Sequence, residues 1–237
     1  MEKERIAVKS NHLIEASYKL TLVEQRVVFI GISKLFPKKP MKLQSTQRIS
    51  AKEYAEIFDI PLPNAYRDIR DASNKLLTRI ITTYKRSDGT IIDNKKYRKH
   101  QWLSYADYAE NEGYVDITFH DKLSPYLTML SGGKYTPLNL SQLSGIKSIY
   151  SIRMWELLTQ YKKDGERFIM VNDLRKWFEL EDKYKVYSAL RRRVIEPAIK
   201  ELEDKANLII SWDEIKKGRK VVGFDFMFEE NQQLKLF

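Results

Sequence analysis

The chain has 237 residues, 43% of them hydrophobic, and a formal net charge of +10 from 42 Lys and Arg against 32 Asp and Glu. That length and apolar content support one large core or two cores of just over a hundred residues each, and the positive surplus points to a polyanionic partner. Cysteine is absent, so disulfides and thiolate metal sites are excluded; MEKERIAVKS at the start carries no signal-peptide run, and no stretch reaches the roughly eighteen apolar residues of a membrane span, so a soluble cytoplasmic protein is expected.

Residues 21–35, TLVEQRVVFIGISKL, predict a helix with a nearly all-apolar centre. Ser50 with Glu53 three residues on has the form of a capping box opening a short helix through Phe58. Pro61 and Pro63 end it, and Asn64 is expected to cap a longer helix that turns Tyr66, Ile69, Ser73, Leu76 and Leu77 inward. In RIITTYKRSDGTII two β-branched runs flank Asp88-Gly89, a hairpin signal. Basic residues follow at Lys95, Lys96, Arg98 and Lys99. Residues 114–119, YVDITF, alternate as a strand does, and a short helix around 123–130 ends at Gly132-Gly133. The domain boundary is placed there, giving domains 1–133 and 134–228 and a flexible tail 229–237.

The second half repeats this order. Residues 148–161 form a periodic helix stopped by Asp164-Gly165; 168–171 form a short strand; Asn172 or Asp173 caps a helix through Phe178. A longer helix starts near Tyr184. Val186, Leu190, Val194, Ala198 and Leu202 recur at steps of four, so one face is buried. Pro197 predicts a kink or restart near 194–196. Strands at 208–212 and 221–228 are joined by a loop holding Lys216, Lys217, Gly218, Arg219 and Lys220.

Tyr54-Ala-Glu-Ile-Phe-Asp-Ile60 lines up with Leu174-Arg-Lys-Trp-Phe-Glu-Leu180, and Tyr66-Arg-Asp-Ile-Arg70 with Tyr187-Ser-Ala-Leu-Arg191, about 120 residues apart in both. Helix, short helix, longer helix and basic hairpin is the order of a winged helix. The expected fold is therefore α+β: two tandem winged-helix domains related by internal duplication, on double-stranded DNA. The longer helix lies in the major groove and the wing touches the backbone or minor groove. In the second domain the reading face is Lys185, Ser188, Arg191, Arg192 and Arg193, with Lys183 just ahead of it. Arginine forks suit guanine and phosphate oxygens. In the first domain it is Asn64, Arg67, Arg70, Asp71 and Asn74, a less basic set that suits backbone contact. Lys95, Lys96 and Arg98 form one candidate wing; Lys216, Lys217, Arg219 and Lys220 form the other. The plain alternative for each cluster is a solvated charged surface.

No catalytic constellation stands out. His12, His100 and His120 lie at no metal-ligand spacing. Gly132-Gly133-Lys134 lacks the upstream glycine and following Ser/Thr of a phosphate loop. The expectation is a protein that is not an enzyme and uses no cofactor or metal.

Three segments resemble the iteron-binding plasmid replication initiators. Asn11-His-Leu-Ile-Glu-Ala-Ser-Tyr-Lys-Leu-Thr-Leu-Val-Glu-Gln-Arg26 resembles that family's opening, N-x-L-I-x-A, then L-T, then E-Q-R. Tyr150-Ser-Ile-Arg-Met-Trp-Glu-Leu-Leu158 resembles its Y-S-x-R-L-Y-E-L-L helix, with Met154 and Trp155 where Leu and Tyr are commoner. Arg193-Val-Ile-Glu-Pro-Ala-Ile-Lys-Glu-Leu202 resembles its V-L-x-P-A-x-x-E-I stretch. The resemblance implies an origin-binding protein that takes iterons as a monomer, helps melt an adjacent AT-rich region, and recruits the host initiator and replicative helicase. It also implies dimerisation through the first domain and repression at a promoter operator.

Gln233-Leu-Lys-Leu-Phe237 resembles the sliding-clamp docking pentapeptide of the Q-L-[SD]-L-F type. Gln233 would anchor the peptide backbone, Leu234, Leu236 and Phe237 would supply its apolar contacts, and Lys235 departs from the pattern. The competing readings of the tail are a frayed end or a strip folded back on the core. The rival functions are a duplicated winged-helix transcriptional regulator without a replication role, and an RNA-binding protein. The second would place exposed aromatics on a sheet, whereas these aromatics occupy apolar-periodic positions.

Overall fold

In the first unit, Met1–Gly145, the chain runs β1 (Ile6–Ser10), α1 (Asn11–Ile14), β2 (Ser17–Tyr18), α2 (Leu22–Ser33), β3 (Gln47–Ser50), α3 (Ala51–Phe58), α4 (Leu62–Leu76), β4 (Ile80–Thr83), β5 (Arg98–Gln101), β6 (Leu103–Tyr108), β7 (Tyr114–Phe119), α5 (Ser124–Leu127) and β8 (Tyr135–Asn139). The structure is a computed structural model that describes residues 5–36, 46–85, 97–108, 112–128, 130 and 132–231. Helix α2 starts where Thr21 and Glu24 close a reciprocal capping box, Thr21 accepting the Glu24 N–H at 3.3 Å and Glu24 the Thr21 N–H at 2.9 Å. Its centre, Val27 to Ile30, is buried all round, as its sequence predicts. Arg79, just after α4, donates twice to the buried Glu24 carboxylate, at 2.9 and 3.0 Å, and ties the end of that helix to the start of α2.

Sheet order β3-β7-β6 with α2, α3 and α4 is a winged helix. A second three-stranded sheet, β2-β4-β5, and a two-stranded one, β1-β8, are added to it. The expected boundary at Gly133 is corrected by the last of these. β8 pairs antiparallel with β1 from Ile6↔Asn139 to Ser10↔Tyr135, which carries residues 134–145 into the first unit. Nothing local in either strand announces a partner about 130 residues away. The hairpin expected at Asp88-Gly89 lies outside the described residues; the observed partner of β4 is Arg98–Gln101.

The second unit, Ile146–Phe237, runs α6 (Ile149–Thr159), β9 (Glu166–Met170), α7 (Val171–Trp177), α8 (Tyr187–Leu190), a π-helical turn at Arg191–Ile195, α9 (Glu196–Lys205), β10 (Leu208–Lys217) and β11 (Lys220–Glu230). Its sheet order is β10-β11-β9, the same winged-helix order as β6-β7-β3. Leu190, Val194, Ala198 and Leu202 are fully buried as their spacing predicts. Val186 is not: it is the N-cap of α8 and 68% exposed, because the helix begins at Tyr187 rather than Tyr184, which has a φ of 50°. Pro197 acts as expected. A proline ring collides with the carbonyl four residues back in an α-helix. The widened π turn before it removes that collision, and α9 restarts at Glu196 with the proline in its first turn.

The duplication goes deeper than the aligned heptads. In each unit the first helix opens on a hydroxyl N-cap, Thr21 or Ser148, and carries a buried arginine five residues later, Arg26 or Arg153. Each guanidinium lies against the phenylalanine at the end of the second helix, Arg26 at 4.8 Å from Phe58 and Arg153 at 5.8 Å from Phe178. The next residue is left-handed in both, Asp59 at φ 52° and Glu179 at φ 51°.

Candidate nucleic-acid interface

In the second unit, the loop between α7 and α8 is held by one side chain. Arg175 donates to the carbonyls of Leu180 (3.3 Å), Lys183 (3.0 Å), Tyr184 (2.6 Å) and Lys185 (3.3 Å). Tyr150 stacks on Phe178 and meets Tyr184 edge-on. Burial, with a hydrogen bond to Tyr184, pushes the Tyr150 phenol up to about 12. The pinned loop leaves Lys183 and Lys185 exposed beside the start of α8. Arg175 has no sequence signal: tyrosine is a poor marker of the left-handed backbone that turns those carbonyls together.

Ser188, Arg191, Arg192 and Arg193 are all exposed on the α8–π segment, but they are not equivalent. Arg191 donates to Glu196 (Nε, 2.7 Å) and to Glu214 on β10 (Nη1, 3.0 Å), and its guanidinium lies 5.5 Å from the Trp212 ring. The Tyr187 hydroxyl donates to the same Glu214 oxygen at 2.6 Å, and Lys216 Nζ lies 3.3 Å from its other oxygen. Burial and that hydrogen bond raise the Tyr187 phenol, while Tyr187, Lys216 and Arg191 hold the Glu214 carboxyl low, so it stays charged at neutral pH. Arg191 is thus a clasp that bridges helix and wing, a tie that the sequence distance to Glu214 hides. The side chains of Arg192 and Arg193 make no hydrogen bond or ion pair with any described residue.

The wing itself is a long antiparallel hairpin. Lys217 pairs with Lys220 across a two-residue turn in which Gly218 has a φ of 61°, the position a type II′ turn reserves for glycine. A register shift at Ile215/Lys216 adds local twist. Lys216, Lys217, Arg219 and Lys220 are exposed at the tip, as expected.

The first unit differs from expectation. Asn64 does not cap α4; the helix begins at Leu62 after Pro61, with Pro63 in the first turn, where a missing N–H costs nothing. Asn64, Arg67 and Asn74 are exposed, but the charges are matched. Arg67 contacts Asn64 (3.5 Å) and Asp68 (3.9 Å), and Arg70 donates to Asp71 at 2.8 Å. By topology the wing is the connection between β6 and β7, not the basic run at 95–99. That connection is acidic in sequence, with Glu110 and Glu112. Arg98 lies on β5 in the β2-β4-β5 sheet, and Lys95 and Lys96 lie outside the described residues, as do Gln233, Leu234, Leu236 and Phe237. Strand β6 was not expected, because LSYADY interrupts its apolar alternation with two exposed tyrosine-flanking positions.

Two exposed helices, each set against a hairpin on a shared helix–strand plan, define a duplicated winged-helix protein whose second unit presents uncommitted arginines. Residues 6–159 match the initiator replication protein WH1 family and residues 170–228 the initiator Rep protein WH2 family; the chain belongs to the initiator replication proteins. It is 26% identical over 243 residues to a replication initiation protein of Escherichia coli, covering 98% of this chain and 72% of that one. It is 23% identical to the PI protein of Escherichia coli, covering 94% and 82%. The solved structure of Pi initiator protein in complex with iteron DNA has the same fold, with a TM-score of 0.80 at 19% identity over 98% of this chain and all of that one. Among the described residues no cluster of His, Asp and Glu could hold a metal ion, and no helix is long and apolar enough to cross a membrane.

Proposed function

We propose that this chain is a plasmid replication initiator that binds repeated double-stranded sites, iterons, at its origin. The observation that carries the reading is the Arg192–Arg193 face beside a lysine-tipped wing, in a chain of the initiator family. The second unit reads bases; the first, with its charge-balanced α4, adds backbone contact. Such contact needs no cofactor and no catalytic group. The same reading extends to opening an adjacent AT-rich segment, engaging the host initiator and replicative helicase in the cytoplasm, and repressing its own promoter as a dimer. A footprint on the cognate origin is expected to protect each repeat and to leave an unrelated duplex open. The rival, a transcriptional regulator, is separated by supplying the chain to a plasmid that carries the repeats. Replication that depends on the chain supports the initiator; repression without replication supports the regulator.

Lys216→Ala, Lys217→Ala and Lys220→Ala are expected to weaken binding to specific and unrelated duplexes alike. Each lost phosphate contact makes the negative slope of log affinity against log salt shallower by ~0.9. Titrations at several salt concentrations check this; an unchanged slope with lost specificity would make the wing a base reader. Gln233, Leu234, Leu236 and Phe237 are proposed as a docking peptide for the sliding clamp. Deleting 233–237 is expected to abolish clamp binding and spare iteron binding; the reverse outcome assigns the segment to the fold.

A further inference from the structure

The first unit holds a second concentration of uncommitted positive charge, away from its wing. β5 carries Arg98, Lys99 and His100; β7 is followed by His120 and Lys122. With Ile80 and Gln101 these residues line one hollow of about 580 Å³. The His100 and His120 rings face each other across 6.3 Å. Other arginines of this unit are matched: Arg48 donates twice to Asp116 at 2.7 and 2.9 Å, Arg70 to Asp71, and Arg79 to Glu24. In the hollow, the side chains of Arg98, Gln101 and Lys122 make no hydrogen bond or ion pair with any described residue. Among the described residues, the His100 side chain makes no hydrogen bond or ion pair and faces the His120 ring, and Lys99 Nζ lies 5.5 Å from the Tyr97 ring. No described residue that lines it is a carboxylate. The neighbouring Asp121 is occupied, 2.9 Å from His120 Nδ1 and accepting the Lys122 N–H at 2.8 Å. Residues Tyr114–Phe119 separate the hollow from the wing end of β7 at Tyr114, and six strand residues span ~20 Å.

We propose that this hollow binds a phosphate group, with Arg98 supplying a guanidinium fork, Lys122 and Lys99 supplying charge, and His100 donating a hydrogen bond in its protonated form. The phosphate is either that of a nucleic-acid backbone or that of a free nucleotide. Binding is linked to protonation. Burial, then the charges of His120, Arg98 and Lys122, hold His100 below its ordinary value, against a smaller opposing pull from Asp121. A bound dianion reverses that balance, so the pKa is higher in the bound state and binding takes up a proton. Affinity therefore rises as pH falls.

The test is a histidine NMR titration of the full chain with sulfate, which stays a dianion over the range used, against chloride at matched ionic strength. His100 is expected to titrate about one pH unit higher with saturating sulfate. Sulfate is then bound several-fold tighter near pH 5.5 than near pH 7.5, with about tenfold as the ceiling that a one-unit rise sets. His100→Gln is expected to remove the pH dependence and Lys122→Ala to weaken binding several-fold, both at exposed or half-exposed positions that leave the fold intact. Parallel titrations with a mononucleotide and with an unrelated duplex separate the two sources: whichever displaces sulfate at the lower concentration is the ligand. If neither histidine responds to sulfate, mononucleotide or duplex more than to chloride, the proposal is overturned. That failure leaves the iteron footprint untouched, because the hollow lies outside the helix and wing.

Discussion

Glu156→Ala is expected to destabilise the second unit by ~3–5 kcal/mol, the cost of leaving a buried charge without its partner. Glu156 and Arg153 are 0% and 3% exposed and meet at 2.6 Å one turn apart on α6. Arg153 also faces Phe178 and donates to the Trp177 carbonyl at 3.5 Å, so the guanidinium cannot swing out to water without unpacking the end of α7. Burial makes the pair a poor source of net stability and a strong constraint: removing one member costs far more than removing both. The double change Arg153→Met with Glu156→Leu is accordingly expected to recover most of the loss. Denaturant unfolding followed by tryptophan fluorescence reads the right unit, since Trp155, Trp177 and Trp212 lie in it and only Trp102 in the other. A single-variant loss below about 1 kcal/mol would show that Arg153 finds water or another partner.

The same pair shows where sequence reading succeeds and where it stops. Periodicity marks α6 and the buried face of Leu190, Val194, Ala198 and Leu202, because helical spacing is local. The interruption before Pro197 and the wing at Lys216–Lys220 are legible for the same reason: a ring clash and a glycine turn are decided within a few residues. The β1–β8 pairing is not, since its strands are five residues long and lie at opposite ends of the first unit. Nor is the arginine clasp. Arg191 reads like Arg192 and Arg193 until β10 brings Glu214 to it, and a basic run near a hairpin reads like a wing until β6 takes that place instead. Charges are visible in a sequence; which of them are already answered is a tertiary property. The repeated Arg26 and Arg153 lay within reach of sequence comparison, because each stands five residues after a Thr or Ser that starts an apolar helix.

Arg192→Ala and Arg193→Ala are each expected to cost ~1–3 kcal/mol of specific binding, about fivefold to 150-fold, with at least one of them relaxing preference at a single base position. Both side chains are exposed and uncommitted, so neither change is expected to move the unfolding midpoint. Arg191→Ala differs. It breaks the bonds to Glu196 and Glu214 and uncovers the Trp212 ring, leaving Tyr187 and Lys216 to hold Glu214. The helix and wing then lose their fixed spacing, and binding is expected to fall on every sequence together. The measurement is affinity for a set of duplexes carrying each single-base change in the repeat, alongside thermal unfolding of each variant. A uniform loss for Arg192→Ala and Arg193→Ala, with the base-specific loss confined to Arg191→Ala, would reverse the assignment and make the clasp residue the reader. The proposed outcome instead has the clasp setting the geometry in which its two unpaired neighbours meet the DNA.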